Sequence, residues 1–368
     1  MEVVTSGLIN YMNFYKNFIR PILFQFDAEK SHNLAIFCLK NNLLKYPKIK
    51  NYDSLKINIC NIDFDNPISM AAGFDKNAAI ISNLFKFGFG SIECGTVTPK
   101  LQIGNSKPRI LRLEQDQAII NRLGFNNIGI NKFLKNLQKQ KITKAFGINI
   151  GKNKDQKDSA LDYLNLLDLT YGLSPYIAIN ISSPNTKDLR NIQKKSELDI
   201  FLQKIMAKKS ELAKKTAKDI PIFLKIAPDL DDNELQDIAN SVLKNKIDAV
   251  IISNSTLVRK GLKSKNQKEV GGLTGKPLFD ISNEILSKFY QLTEGKIPLI
   301  AAGGVFSADD AYEKIKRGAS MVQIYSAFIY EGFSLVEKIK KDLDLLLKKD
   351  VFNNISEAIG KNNNGSYL

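Results

Sequence analysis

The chain has 368 residues, 43% of them hydrophobic and 25% charged, a length that admits one large α/β domain and a composition able to bury a core. No run approaches the roughly 18 apolar residues of a membrane span, and the N-terminus lacks a secretory pattern, so an intracellular chain is expected. The net charge of +15 would suit an anionic surface, yet no basic-aromatic motif of a nucleic-acid-binding module accompanies it, and lysines spread over solvated faces give the same number.

Residues 1–11 read as an extra leader. From Met12 to about Lys50, Phe14, Phe18, Ile22, Leu23, Phe26, Leu34, Phe37, Cys38 and Leu44 recur at roughly helical intervals with a break at Pro21, which predicts two short amphipathic helices. Such a pair can plug the bottom of a larger domain or enter a membrane interface, and the pattern does not choose between these. Cys38, Cys60 and Cys94 have no paired spacing, so neither a disulfide framework nor a metal site is expected. His32 is the only histidine, which removes histidine acid/base chemistry from the main domain.

From about residue 66, short apolar runs alternate with longer amphipathic stretches. The runs are Ile68–Ala72, Ser91–Cys94, Ala145–Ile150, Tyr176–Ile181, Pro221–Ile226, Asp248–Ile252, Pro298–Ala302 and Ser320–Ile324. Each is nearly continuously apolar, as strands covered on both faces must be. Helical spacing appears between them: over Asn77–Phe87, over Asp232–Lys244 behind a capping Asp231, and from Ser307 to a stop at Gly318. Eight strands each followed by a helix predict a (β/α)8 barrel of the α/β class spanning 51–349, behind a helical subdomain over 12–50. The stretch Thr96–Lys144, with Pro99, Gly104, Pro108 and Gly124, is too long for an ordinary connection and is expected to be structured at the barrel mouth. Residues 350–368 read as a frayed tail.

Barrel enzymes carry their chemistry at the C-terminal strand ends. Here those ends are small, polar or cationic: Ala71-Ala-Gly-Phe-Asp-Lys76, Gly95-Thr96, Asn149-Ile-Gly, Asn180-Ile-Ser-Ser-Pro-Asn185, Lys225-Ile-Ala-Pro-Asp, Ser253-Asn-Ser-Thr256, Ala302-Gly-Gly304 and Tyr325-Ser326. One asparagine in so asparagine-rich a chain is a turn residue; their recurrence at successive strand ends points to a site. Gly303-Gly304 and Tyr325-Ser326 stand at the last two junctions, the usual phosphate position of such barrels, with Gly275 upstream. No dinucleotide fingerprint follows the first strand, which disfavours a nicotinamide enzyme. Lys76 and Lys225 could form a Schiff base, pair with an anion or stabilise a reduced flavin, so an aldolase stays open beside a flavoenzyme.

These blocks, with Asn121-Arg-Leu-Gly-Phe-Asn-Asn127, Gly147-Ile-Asn-Ile-Gly-Lys-Asn-Lys154, Gly271-Gly-Leu-Thr-Gly-Lys-Pro277 and Val322-Gln-Ile-Tyr-Ser326, resemble the second, quinone-dependent and membrane-associated class of dihydroorotate dehydrogenase from about Phe24 to Gly332. The resemblance implies one FMN per chain and oxidation of (S)-dihydroorotate to orotate in pyrimidine biosynthesis, with ubiquinone or menaquinone as acceptor. It implies that Ala72, Gly73, Phe74, Asp75, Lys76, Thr96, Asn149, Asn180, Lys225, Ser253, Gly275, Gly304, Tyr325 and Ser326 hold FMN. Substrate would meet Lys76, Asn121, Arg122, Leu123, Gly124, Phe125, Asn180, Asn185, Asn254 and Ser255, with Ser183 as the base. A planar imide ring needs neutral donors and acceptors, which asparagine supplies, and its carboxylate needs a cation.

Cytosolic relatives carry cysteine where Ser183 stands, so the serine and the N-terminal helices both imply the quinone class. Ser253 and Ser255 replace the usual threonines, which keeps the hydroxyl and loses a methyl. Phe24, His32, Arg112 and Tyr325 match positions lining a quinone tunnel. A peripheral protein on the cytoplasmic face of a bacterial inner membrane, touching anionic lipid and needing no nucleic acid or obligate protein partner, is then expected. A cytosolic type that uses fumarate is the rival within the family.

Overall fold

Stretches that are apolar at every position cannot leave one face in water, and in this chain they become the staves of a closed parallel barrel. A computed structural model describes residues 14–186 and 189–363; the expected leader lies outside the described residues. The strands are β1 (Ile68–Met70), β2 (Ser91–Val97), β3 (Phe146–Ile150), β4 (Tyr176–Asn180), β5 (Ile222–Ile226), β6 (Ala249–Ile252), β7 (Leu299–Ala302) and β8 (Ala319–Ile324). They neighbour one another in chain order, and Val322 of β8 pairs with Ile68 of β1, so the sheet has no edge. All eight expected strands are present, with ends shifted by a residue or a few.

The interior is filled by side chains. The Tyr176 ring lies against Gly147, where an added Cβ would lie 2.1 Å from Tyr176 Cε2, and stacks on Phe223 at 4.3 Å. Outside, the helix Asp232–Lys244 matches its expectation, with Asp231 and Glu234 forming a reciprocal capping box. Ser307 accepts the Asp310 amide at the start of Ala308–Lys316, and Gly318 takes a φ of +111° beyond its end.

Three local expectations are corrected. The helix expected over Asn77–Phe87 is confined to Ile81–Phe85. The buried Asp75 carboxylate accepts the amides of Asn77, Ala79 and Ile80 at 3.3, 2.8 and 2.8 Å, which holds the preceding residues in a turn. The N-terminal break falls at Phe26-Asp27 and not at Pro21. Pro21 lies inside one continuous helical stretch, where a π-helical turn over Tyr15–Ile19 runs directly into α1 (Arg20–Gln25), whereas Asp27 caps α2 (Ala28–Lys40) through the Lys30 amide at 3.0 Å. The tail is not frayed through its described part. Ile355 and Ala358 are fully buried, the Gly360 amide donates to the Ile315 carbonyl, and Asn363 Nδ2 donates to the Arg317 carbonyl at 2.7 Å.

The long excursion between β2 and β3 is structured as expected. Ile110–Leu113 and Ala118–Asn121 pair antiparallel, and Gly272–Gly275 from the β6–β7 connection joins them as a third strand. That small sheet brings Asn121 to the barrel mouth.

Because Ile355 is wholly buried against the barrel's outer layer, Ile355→Ala should destabilise the fold by roughly 2–5 kcal/mol. Urea unfolding followed by circular dichroism measures it; a change below about 0.5 kcal/mol would show that the segment is dispensable.

Candidate active site

At the floor of the mouth lies a carboxylate sealed from water. Glu93 of β2 is fully buried, and its oxygens accept Asn149 Nδ2 and Gln323 Nε2, each at 2.8 Å. Lys225 Nζ stands 3.7 Å from Glu93 Oε1 and donates to Gln323 Oε1 at 3.2 Å. Thr96 Oγ1 donates to Asn149 Oδ1 at 2.5 Å and accepts Asn180 Nδ2 at 3.1 Å. Side chains from β2, β3, β4, β5 and β8 are thereby locked together across the barrel. The resulting surface offers Lys225, Gln323 and Thr96 upward into the cavity.

The loop after β4 is held from several sides. Asn180 Oδ1 accepts Ser182 Oγ at 2.8 Å, and Asn254 Nδ2 donates to the same hydroxyl at 2.9 Å. Arg190 ties the Ser182 carbonyl (3.0 Å) to the Ser255 carbonyl (2.9 Å) and to Asp229 (2.8 Å). Asp229 in turn accepts Thr256 Oγ1 and the Leu257 amide. Ser183 is left facing the cavity with its Oγ accepting the Asn185 amide at 3.3 Å, while Asn185 Nδ2 donates to the Asn121 carbonyl at 3.0 Å.

Opposite stands Lys76. It lines the cavity and has no hydrogen-bond or ion-pair partner among the described residues. Burial pushes its ammonium down to about 8, with Glu29 pulling the other way and Arg109 adding to the depression. A cation with such an environment is poised for an incoming anion.

The far wall is the glycine junction. Gly303 and Gly304 follow β7 with φ of +120° and +75°, and a Cβ on Gly304 would lie 2.5 Å from Phe279 Cβ, so only glycine lets the backbone turn there. Thr274 and Ser326 hydroxyls meet at 2.9 Å beside it.

The helix pair docks on the other side. Arg109 grips Glu29 of α2 through Nε (2.9 Å) and Nη2 (2.6 Å), which holds the Glu29 carboxyl below its usual range. Arg112 donates to the Phe24 and Phe26 carbonyls at 3.2 and 2.8 Å and lies 4.4 Å from the Phe24 ring centroid. From α2 the His32 ring meets Phe74 edge-on at 5.2 Å, and Phe74 lies 6.2 Å from Tyr325, which lines the cavity. Burial and the repulsion of Lys76 push His32 down to about 3, so it is neutral at physiological pH. Burial also raises Tyr325 to about 12.

Most of the residues expected from the sequence therefore surround one cavity: Ala72, Gly73, Lys76, Thr96, Asn121, Leu123, Gly124, Phe125, Asn180, Ser183, Asn185, Lys225, Ser253, Asn254, Ser255, Gly275, Gly304, Tyr325 and Ser326. Others stand outside its lining. Asp75 anchors the turn, Phe74 packs behind Tyr325, and Asn149 lies beneath Thr96. Arg122 turns away to Glu269 and the Val270 carbonyl, both at 2.9 Å. The sequence reading missed Glu93 and Gln323. Glu93 is the one charged residue of β2, and Gln323 is an amide set between Val322 and Ile324 of β8, a signal of the same kind as Lys225 within β5.

A closed parallel barrel with these groups converging at its C-terminal strand ends defines an enzyme of the (β/α)8 class. Residues 54–347 match the family model for dihydroorotate dehydrogenase, and the chain belongs to that family of oxidoreductases. A relative from Azorhizobium caulinodans named dihydroorotate dehydrogenase (quinone) is 42% identical, over 93% of this chain and 97% of its own. One of the same name from Idiomarina loihiensis is 45% identical, over 89% and 99%. The crystal structure of the Eimeria tenella dihydroorotate dehydrogenase in complex with ferulenol matches with a TM-score of 0.88 at 35% identity, covering 92% of this chain and 96% of that one.

Since Glu29 and Arg109 clamp α2 to the mouth sheet, Arg109→Ala should loosen the helix pair while sparing the barrel. Limited proteolysis should then cut within 20–45 at least about tenfold faster than in the parent, a change of 1.4 kcal/mol or more in local opening. Unchanged cleavage would mean that the apolar contacts of the pair suffice.

Proposed function

We propose that the chain oxidises (S)-dihydroorotate to orotate with FMN as hydride acceptor and a membrane quinone, ubiquinone or menaquinone, as the final electron acceptor, in de novo pyrimidine synthesis. The observation that carries this is the Lys76 ammonium, without a partner among the described residues, standing in one cavity with Ser183 and the amides of Asn121, Asn180, Asn185 and Asn254. Lys76 would pair with the substrate carboxylate, and the amides and Ser255 would meet the ring's imide edges.

The residues present fit FMN. The Gly303–Gly304 turn with the Thr274 and Ser326 hydroxyls suits a phosphate, and the Lys225–Gln323 floor suits the polar edge of an isoalloxazine. Gly73, with φ +101°, leaves room beside Tyr325, an added Cβ there meeting only Tyr325 Cε2 at 3.6 Å. When bound, FMN supplies the acceptor for the hydride leaving the ring carbon beside the one deprotonated. Ser183 Oγ takes that proton. A serine is a weak base in water, so the loop must assist: Arg190, Asn180 and Asn254 clamp the neighbouring Ser182 and so fix the loop that carries Ser183, and burial excludes water.

The quinone reading rests on the helix pair. Phe14, Phe18, Ile22, Phe26, Leu34 and Phe37 are about half exposed, and Lys16, Arg20, Lys30 and Lys40 lie among them. An apolar face with a basic surround suits an anionic membrane surface. Among the described residues no helix is long and apolar enough to cross a membrane. The line His32–Phe74–Tyr325 leads from this face to the cavity. That supports entry of a quinone head between the helices and a peripheral seat on a membrane surface; the cytoplasmic face of a bacterial inner membrane is the seat proposed.

Anaerobic mixing with dihydroorotate should bleach the bound flavin, and a short-chain ubiquinone should restore it while fumarate does not. Restoration by fumarate alone would assign the cytosolic type. Ser183→Ala should still bind orotate but slow the bleaching by about 10²–10⁴-fold, and bleaching within a few-fold of the parent would remove Ser183 as the base.

The pH dependence of orotate binding follows from Lys76, whose free ammonium titrates at about 8. Only the charged form pairs with the carboxylate. Affinity should therefore be flat below that pH and fall about tenfold per unit above it. Titration of Lys76→Met should show weak binding with no such slope; a slope that survives belongs to another group.

A further inference from the structure

Among the described residues, one buried cation that the mechanism does not use is Lys314. It lies on Ala308–Lys316 with no exposure at all, and its ammonium forms no ion pair among the described residues. It donates to Ser282 Oγ at 2.7 Å and Asn283 Oδ1 at 2.8 Å, and stands 5.0 Å from the Phe279 ring centroid. Two neutral acceptors and a ring face are thin compensation for an ammonium withdrawn from water.

Its position suggests what offsets that cost. The same Ser282 hydroxyl lies 3.2 Å from the Gly303 carbonyl, and Phe279 backs Gly304. Lys314 thus stands directly behind the turn that faces the cavity. The charged groups around it are Asp310, Glu313 and Arg317 on its own helix and Asp280 on the facing one. Asp310 is occupied by the Phe306 amide, and Glu313 by Arg317. Burial pushes Lys314 down to about 7, so a nearby anion has leverage over its charge at neutral pH.

We propose that Lys314 is a positioning residue of the phosphate subsite, supplying from behind Gly303–Gly304 the positive charge that makes the cavity prefer a phosphorylated flavin. This rests on the FMN reading above. Riboflavin has the same ring system without the phosphate, and that difference separates a charge role from a structural one.

The affinities of the flavin-depleted full chain for FMN and riboflavin are to be measured by fluorescence quenching from pH 6.5 to 8.5. The parent should prefer FMN, and its FMN affinity should fall as pH rises through the Lys314 titration. Lys314→Met should lose about tenfold or more for FMN and remain within about twofold for riboflavin, with the pH slope gone. Lys314→Arg should restore the preference, and Ser282→Ala should keep it because the ammonium remains. Equal loss for both flavins in Lys314→Met, or no loss for either, overturns the proposal. A parent that binds neither flavin overturns the FMN reading itself, and this inference with it.

Discussion

A carboxylate with no access to water is costly unless donors surround it, and the upper barrel is organised around that demand at Glu93. Asn149 and Gln323 each give it an N–H, and Lys225 stands within ion-pairing range. Because those partners come from three other strands, the network fixes their mutual positions and points Lys225, Gln323 and Thr96 toward the mouth. The polar floor is thus a by-product of satisfying one buried charge. The Tyr176 and Phe223 rings, stacked at 4.3 Å, are themselves almost fully buried in the same core.

Above that floor the cavity has two electrostatic characters. The side formed by Lys76 and the loop after β4 is polar and carries a cation with no ion-pair partner among the described residues. The side formed by Phe74, Tyr325 and His32 is a line of rings, and burial keeps His32 neutral there. The two meet through Glu29. This carboxylate docks α2 by gripping Arg109 and also stabilises the charge on Lys76, so the helix pair is part of the electrostatic setting of the substrate side.

Much of this was legible in the chain. Eight unalternating apolar runs could only be strands covered on both faces, and the recurrence of asparagine, lysine and glycine at their ends located the site. Where the reading went astray, side chains had redirected the backbone locally. Asp75 consumed the amides that would have begun a helix at Asn77, Asp27 supplied a cap that moved the break away from Pro21, and Ile355 found a pocket that no periodicity announced. Arg122 lies inside a block that matches the family, yet it is drawn to Glu269, a partner 147 positions away.

By itself the sequence determined the barrel, its strand ends and the family, because periodicity and short motifs are local properties that survive without knowledge of contacts. The tertiary structure decided which residues act together. Glu93 finding Lys225 and Gln323, Arg190 bridging two loops, and Lys314 arriving behind Gly303 all join positions far apart in the chain. Such pairings depend on the closure of the barrel and leave no spacing to be read.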